Sequence, residues 1–426
     1  VLSFQCNIRF VIDEWRFHKC PALGLAFVSG NVKMDGHIQQ DSHRQAHPLK
    51  TLQAHGGTWL YQINVTRDCN LRCTHCYIHS EAKRLSQFIS AEQFLKVIRD
   101  IAEHMEINQY ERAEIHVVGG EPTMMGAAFF ADVIPKAREI LNASTHAHDY
   151  GYELLIITNL LTDEALEIAG YFDRVTTSYE PITRFPKPKL EQKWLDNVHL
   201  LKSNGVICGV TTSITLPVVQ YGAAKLLDKY MDMDIRNVHF GFFIPSGDGL
   251  DNIKDVFPEF AQTSDFLIEA ANWYFEHRDQ YPDLYVNPVE SMLTAIHEDQ
   301  PMDDIVCPII TGSVDVNWDG NAMTCIEAGG EVNPNWVGNV FQSTIAEVAA
   351  SQKFLREVLQ ASKPHKVCRT CDEYRYCKSG CGVLFKYWSA EENNDCPGFR
   401  KFIRYIKTLH GEGLRPKGAR LPAFKC

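Results

Sequence analysis

The residues whose chemistry stands out are cysteines. Cys69, Cys73 and Cys76 lie in the segment DCNLRCTHCY, three thiols within eight residues. Offsets of four and three let one loop curl around a single small metal centre. Zinc takes four nitrogen or sulfur ligands in a closed site, and His75 or His79 could be the fourth. A [4Fe–4S] cluster has four irons, so three cysteines leave one iron without a protein ligand. That iron is a place for a small molecule to chelate directly. A second group stands far downstream: Cys307, Cys325, Cys368, Cys371, Cys377, Cys381 and Cys396. It reads Cys-x12-Gly-x4-Cys, with Gly320 as the glycine, then Cys-x2-Cys-x5-Cys-x3-Cys, then a last Cys. On ligand count alone, two zinc sites are the plain reading.

The bulk sequence narrows the chemistry. The fourteen cysteines are an even number, which would suit disulfides in a secreted protein. Their tight spacing does not, and Val1 to Phe10 lacks the basic and apolar blocks of an export signal. Thiolate ligation of metal in a reducing, cytoplasmic setting is the expectation. A net charge of -11 argues against broad nucleic-acid binding, which needs a basic field to replace counterions. No stretch approaches eighteen uncharged apolar residues, so no membrane partner is expected.

The elements that must hold these thiols begin at Trp59. Short runs rich in apolar and β-branched residues fall at 60–66, 114–118, 152–158, 173–178, 206–215 and 236–244. Their near-continuous apolar character suits parallel strands. Helices alternate with them. One opens at Ser90 with Gln93 three residues on, a capping box, and places Phe94, Val97, Ile98 and Ile101 on one face. Another runs from Lys189 to Ser203 and stops at Asn204-Gly205. The pattern predicts an α/β unit, either a partial barrel or an open doubly wound sheet, with its reactive loops at the C-terminal ends of the strands. The domains expected are an N-terminal extension over 1–58, the α/β unit over 59–248, a helical bridge over 249–306, a cysteine-rich domain over 307–400 and a tail over 401–426.

Cys-x3-Cys-x2-Cys followed by an aromatic, directly after the first strand, resembles the radical S-adenosylmethionine superfamily. The next strand ends in VVGGEPT, which is similar to that family's Gly-Gly-Glu-Pro segment. The resemblance implies a partial TIM-like (β/α)6 barrel and a [4Fe–4S] cluster on Cys69, Cys73 and Cys76. The open iron of that cluster would bind the amino and carboxylate groups of S-adenosylmethionine. One electron, from a reductant such as flavodoxin or ferredoxin, would cleave the cofactor to a 5′-deoxyadenosyl radical that takes a hydrogen atom from substrate. Cofactor contacts carried over by position are Tyr77, Gly119, Gly120, Glu121, Pro122, Asn159 and Ser178. The family's Ser-x-Asp-Gly segment reads Ser178-Tyr179-Glu180-Pro181 here, which leaves Glu180 as a catalytic candidate without a defined role. Arg184, Lys187, Lys189 and Lys193 compete as the base facing the cofactor carboxylate. Each is expected, taken singly, to be a solvated surface charge.

The seven downstream cysteines resemble the SPASM domain of enzymes that mature peptides and proteins. By position, Cys368, Cys371, Cys377 and Cys396 would hold an outer auxiliary [4Fe–4S] cluster. Cys307, Cys325 and Cys381 would hold an inner one, with its fourth ligand left to Asp, Glu, substrate or a distant Cys. The resemblance thus implies three clusters. It also implies oxidation of a ribosomal precursor peptide through an intramolecular C–C, C–O or thioether crosslink. Two other chemistries compete. A formylglycine-forming oxidase places an Asp base directly after the Gly-x4-Cys cysteine, where Ile326 and then Glu327 stand here. A peptide epimerase would need a barrel-facing thiol, and Cys208 is the candidate, although core packing is its plainer role. Residues 1–58 are not expected to make a complete winged-helix precursor-binding domain. Recruitment therefore falls to the barrel mouth, the bridge or a separate precursor-recognition protein.

Overall fold

The computed structural model describes residues 57–144, 147, 151–185, 187–302, 305–329, 335–390 and 395–417. It also describes the backbone of a hairpin formed by β1 (Ala26–Val28) and β2 (Asn31–Lys33). Most of the expected N-terminal extension, Cys6, Cys20, Cys426 and the end of the tail lie outside the described residues.

Six strands follow in the expected places. They are β3 (Thr58–Thr66), β4 (Arg112–Gly119), β5 (Tyr152–Ile157), β6 (Arg174–Ser178), β7 (Cys208–Ile214) and β8 (Asn237–Phe242). Each pairs in parallel with the next. The order runs sequentially, with no reversal of direction across the sheet. A doubly wound sheet would have a switch point, so the partial barrel is the correct alternative. Helices cover one face. The Tyr61 hydroxyl and His104 Nδ1 of the helix Ala91–Asn108 share a hydrogen bond of 2.9 Å, and Trp194 of the helix Pro188–Ser203 donates to Thr177 at 2.9 Å. Ile63, Val65, Ile115, Val117, Leu154 and Ile156 share that face and are buried.

The opposite, lumen face is polar. Register aligns Asp315, Gln62 and His116 across three neighbouring strands, and aligns Glu114 with Glu153. Burying these charges is tolerable only with partners. Arg174, 1% exposed, accordingly donates to Glu153 at 2.8 Å.

Both predicted helix signals are real. Ser90 and Gln93 make both halves of the capping box, and Gly205 takes φ +74 after the second helix. The expected all-helical bridge needs correction. Within it, β9 (Tyr285–Asn287) pairs in parallel with β8; three residues are too few to show a period. The cysteine-rich region likewise enters the barrel sheet. β10 (Ser313–Val316) lies parallel to β3, followed by β11 (Asn321–Met323) and β12 (Gly338–Asn339) in antiparallel pairing. The result is one open ten-stranded sheet. Aromatic packing closes the other side, where Phe242 at the end of β8 stacks on Phe399 with 4.1 Å between ring centroids. Among the described residues no helix is long and apolar enough to cross a membrane.

The loop after β8 packs over the loop after β3 without room for a side chain. Gly247 has φ +52, and a Cβ there would collide with the carbonyl of Tyr77. Gly247→Ala is therefore expected to cost about 1–3 kcal/mol, from overpacking and a left-handed backbone. Gly411→Ala, where a Cβ meets nothing, should cost nothing. Urea midpoints of the two variants check this.

Candidate functional site

The loop carrying Cys69, Cys73 and Cys76 leaves the C-terminal end of β3 and is fastened from several neighbouring strand ends. At β4, the Gly120 amide donates to the Thr66 carbonyl at 2.8 Å and the Glu121 amide to the Asp68 carbonyl at 2.7 Å. Any Cβ on Gly119 or Gly120 would strike the backbone carbonyls of residues 66–68. The two glycines thus serve the contact between strand end and cluster loop. At β5, Asn159 donates to Asn70 at 2.6 Å. Beyond β8, Gly249 donates its amide to the Cys76 carbonyl at 2.9 Å.

Glu121 is 1% exposed and fully engaged. Its Oε1 accepts from the Thr123 amide and hydroxyl at 3.0 and 2.6 Å and from the Thr158 hydroxyl at 2.6 Å. Its Oε2 accepts from the Asn159 amide at 2.7 Å. Burial pushes this carboxyl up, and the Thr123, Thr158 and Asn159 bonds only partly offset that. Glu121 therefore ties the ends of β4 and β5 together, while Pro122, also buried, turns the chain into the next helix. Tyr77 reaches inward, donating to the Gly119 carbonyl at 3.0 Å. Ser178 ends β6 on the lumen face, opposite Thr211.

A charged group lies against the cysteine loop that sequence spacing gave no sign of. Arg184 is only 15% exposed and lies inward, correcting its expected place as a solvated surface charge. It donates to Glu180, and its charge acts on Cys73 and Cys76. Glu180 also takes the Ser213 amide at 3.0 Å and lies 3.6 Å from His75 Nε2. Burial pushes Glu180 up, but Arg184 and His75 outweigh it and hold the carboxyl below its ordinary value. Burial drives His75 down to about 4, so it is neutral at physiological pH. Lys83, 2% exposed, is a second such cation. It donates to Asp248 at 3.0 Å. Burial works against its charge, and Cys76 and Asp248 outweigh that and raise it. Lys187 and Lys189 are exposed, and Lys193 pairs with Asp163 at the surface, as expected.

The thiols fall into three sets. Cys69, Cys73 and Cys76 act on one another. Cys307 acts on both Cys325 and Cys381, and Cys381 acts on Cys325. Cys377 is grouped with Cys368, Cys371 and Cys396. Gly398 lets this last set close, since a Cβ there would lie 2.8 Å from Cys377 Sγ and 3.9 Å from Cys396 Sγ. Burial pushes Cys69, Cys377 and Cys381 up to about 12. They are thiols until a metal displaces their protons, so loading releases protons.

The spacing of the sets suits a group larger than one zinc ion. Among the described residues no three thiols lie within 4.8 Å of one another. Tetrahedral zinc with bonds of about 2.3 Å needs sulfurs only about 3.8 Å apart. The histidines that could complete a zinc knuckle are engaged elsewhere, His75 facing Glu180 and His79 lying 3.3 Å from Asp251. A four-iron cluster fits each set better.

Beneath the first set, the lumen presents acids and a histidine. Asp315 Oδ1 accepts from Gln62 at 2.9 Å and its Oδ2 from the Ile326 amide at 2.6 Å. Burial raises Asp315 to about 7; burial and the neighbouring Asp315 raise Glu327 to about 7. His116 is fully buried, with Nε2 3.7 Å from Glu114. Cys208 does not belong here. It stands opposite Val175 at the start of β7, on the face that packs against helices, at the end of the barrel away from the cysteine loop. That correction removes it as a barrel-facing hydrogen donor.

A partial parallel barrel with a three-thiol loop at its C-terminal mouth defines a site for an iron–sulfur cluster with an open iron. The comparisons with known proteins agree. Residues 63–230 match the Radical SAM superfamily, and residues 307–372 match SPASM, the iron-sulfur cluster-binding domain. The chain thus carries a radical SAM domain followed by a SPASM domain.

No curated protein matches the chain in sequence. Among solved structures, anSMEcpe with bound AdoMet is 17% identical, covering 83% of this chain and 93% of that one with a TM-score of 0.64. The same protein with AdoMet and the Kp18Cys peptide gives 17% identity, 83% and 97% coverage and a TM-score of 0.64. Streptococcus suis SuiB bound to the precursor peptide SuiA is 15% identical over 86% of this chain and 83% of that one, with a TM-score of 0.55. At these identities the likeness is one of fold.

Removing one thiol from each set tests the partition. Cys73→Ala, Cys381→Ala and Cys371→Ala should each lower the iron content of the anaerobically reconstituted protein by about one third, if each set holds four irons. Zinc in place of iron, or loss of all iron from any single variant that stays folded, would contradict three separate sets.

Proposed function

We propose that this chain is a peptide maturase that uses three [4Fe–4S] clusters and S-adenosylmethionine to form an oxidative intramolecular crosslink in a ribosomal precursor peptide. The observation that carries the reading is the pairing of β10 with β3, which sets Cys325 and its turn beside the same lumen as Tyr77. A substrate in that lumen would lie between the radical-generating site and an electron acceptor.

Bound at the Cys69, Cys73 and Cys76 loop, S-adenosylmethionine would supply a carbon radical that takes one hydrogen atom from the peptide. The protein's residues have the remaining tasks. Asn70 and Asn159, with the backbone of Gly119 to Pro122, hold the mouth in one geometry, while Arg184 and Lys83 place positive charge beside the thiols. Bond formation on the substrate then releases one further proton and one electron. Cys307, Cys325 and Cys381 would hold a cluster able to accept that electron, and Cys368, Cys371, Cys377 and Cys396 would hold a second one leading outward. This balance favours net oxidation over epimerisation, for which Cys208 is misplaced. External electrons would come from a flavodoxin or ferredoxin, and a separate protein would present the precursor. The folds of anSMEcpe and SuiB, both solved with a peptide bound, support a peptide substrate.

Formylglycine-type oxidation is the second reading. Asp315 and Glu327, two acids beside Cys325, favour it, although Ile326 occupies the position of that reaction's usual Asp. Mass spectrometry of a candidate precursor co-expressed with the protein separates the outcomes. Loss of two hydrogen atoms together with a new internal linkage is expected. An unchanged mass with an inverted stereocentre would contradict the crosslinking reading. Conversion of a Cys or Ser to an aldehyde would support the second one.

A further inference from the structure

The inner thiol set is one donor short of four. Cys307, Cys325 and Cys381 supply three sulfurs, and four irons call for four ligands. The oxygen donors that follow Cys307 in the chain are committed elsewhere. Thr311 donates its hydroxyl to the Pro308 carbonyl at 3.2 Å, and Ser313 donates to the Thr324 carbonyl at 2.9 Å. Asp315 spends one oxygen on Gln62 and the other on the Ile326 amide.

Glu327 differs from all of these. It sits two residues after Cys325, in the short turn Ile326–Gly329, half-buried, and among the described residues its carboxylate has no hydrogen-bond partner. It lies close enough for its charge to act on both Cys325 and Cys381. The Asp315–Ile326 bond fixes the start of the turn and so fixes which way the next side chain leaves it.

We propose that the Glu327 carboxylate is the fourth ligand of the inner auxiliary cluster. The proposal rests on the reading that Cys307, Cys325 and Cys381 hold a four-iron cluster. A carboxylate oxygen is a harder and weaker donor to iron than a thiolate. Exchanging thiolate for a less electron-rich ligand raises the potential of an iron–sulfur centre. A cluster so ligated accepts an electron from substrate more readily than one with four thiolates.

The test uses the full-length reconstituted protein, saturated with S-adenosylmethionine so that the iron of the first cluster is covered. The protein is probed with 13C-cyanide and read by electron–nuclear double resonance after reduction. Wild type should show no cyanide coupling, and Glu327→Ala should show one cyanide bound per chain. Glu327→Cys, which keeps a fourth ligand, should block cyanide again and shift the inner potential downward. Equal cyanide coupling in wild type and Glu327→Ala would overturn the assignment of Glu327 alone. Iron content unaffected by both Cys307→Ala and Cys381→Ala would overturn the inner cluster itself, and the ligand with it.

Discussion

The rest of the structure depends on the parallel pairing of β10 with β3, which sets Ser313 to Val316 beside Leu60 to Ile63. Without it, the region carrying seven cysteines would be an appendage on a barrel. With it, the sheet gains an edge whose inward side chain, Asp315, bonds Gln62 on the barrel's first strand. The turn that follows Cys325 is anchored through the same carboxylate. One short register therefore fixes the distance between the radical-generating mouth and the first auxiliary site. Strands hold such a distance more precisely than loops do.

A second constraint acts at the mouth. The loop of Cys69, Cys73 and Cys76 has little regular structure of its own, so its shape comes from what surrounds it. Backbone bonds from Gly120, Glu121 and Gly249 hold it, and three glycines give way so that other backbones can press against it. Inward-lying cations add an electrostatic layer. Three thiolates and a reduced cluster would carry negative charge into this place, and Arg184 and Lys83 would offset part of it. Glu180 and Asp248 in turn keep these cations ionised and in place.

Much of this was legible from residue type and spacing. The strand runs, the Ser90 capping box and the Gly205 helix stop all depend on local pattern, and each is found where the sequence puts it. The division of the thiols into sets of three, three and four also follows from spacing read against a known family. What escaped was contact between distant segments. β9 and β10 are three and four residues long, and nothing local distinguishes them from a turn. Arg184 looked like one of four interchangeable surface cations, because its inward place beside Glu180 depends on how the chain after β6 folds back. Cys208 could have faced either way, since one residue of register decides the face of a strand. Lys83 and Asp248 stand 165 positions apart, with no sequence signal linking them. The one hint was the GDG after the last barrel strand, whose glycines allow the approach to the cysteine loop.

The central claim is that this lumen generates a radical from S-adenosylmethionine and that the three-thiol loop is where it does so. The direct measurement is anaerobic incubation of the reconstituted protein with dithionite and S-adenosylmethionine, with 5′-deoxyadenosine and methionine quantified by chromatography. The account predicts both products in equal amounts, and none from Cys73→Ala, which retains its auxiliary iron. Absence of 5′-deoxyadenosine from wild-type protein with its full iron content and a reduced cluster would contradict it.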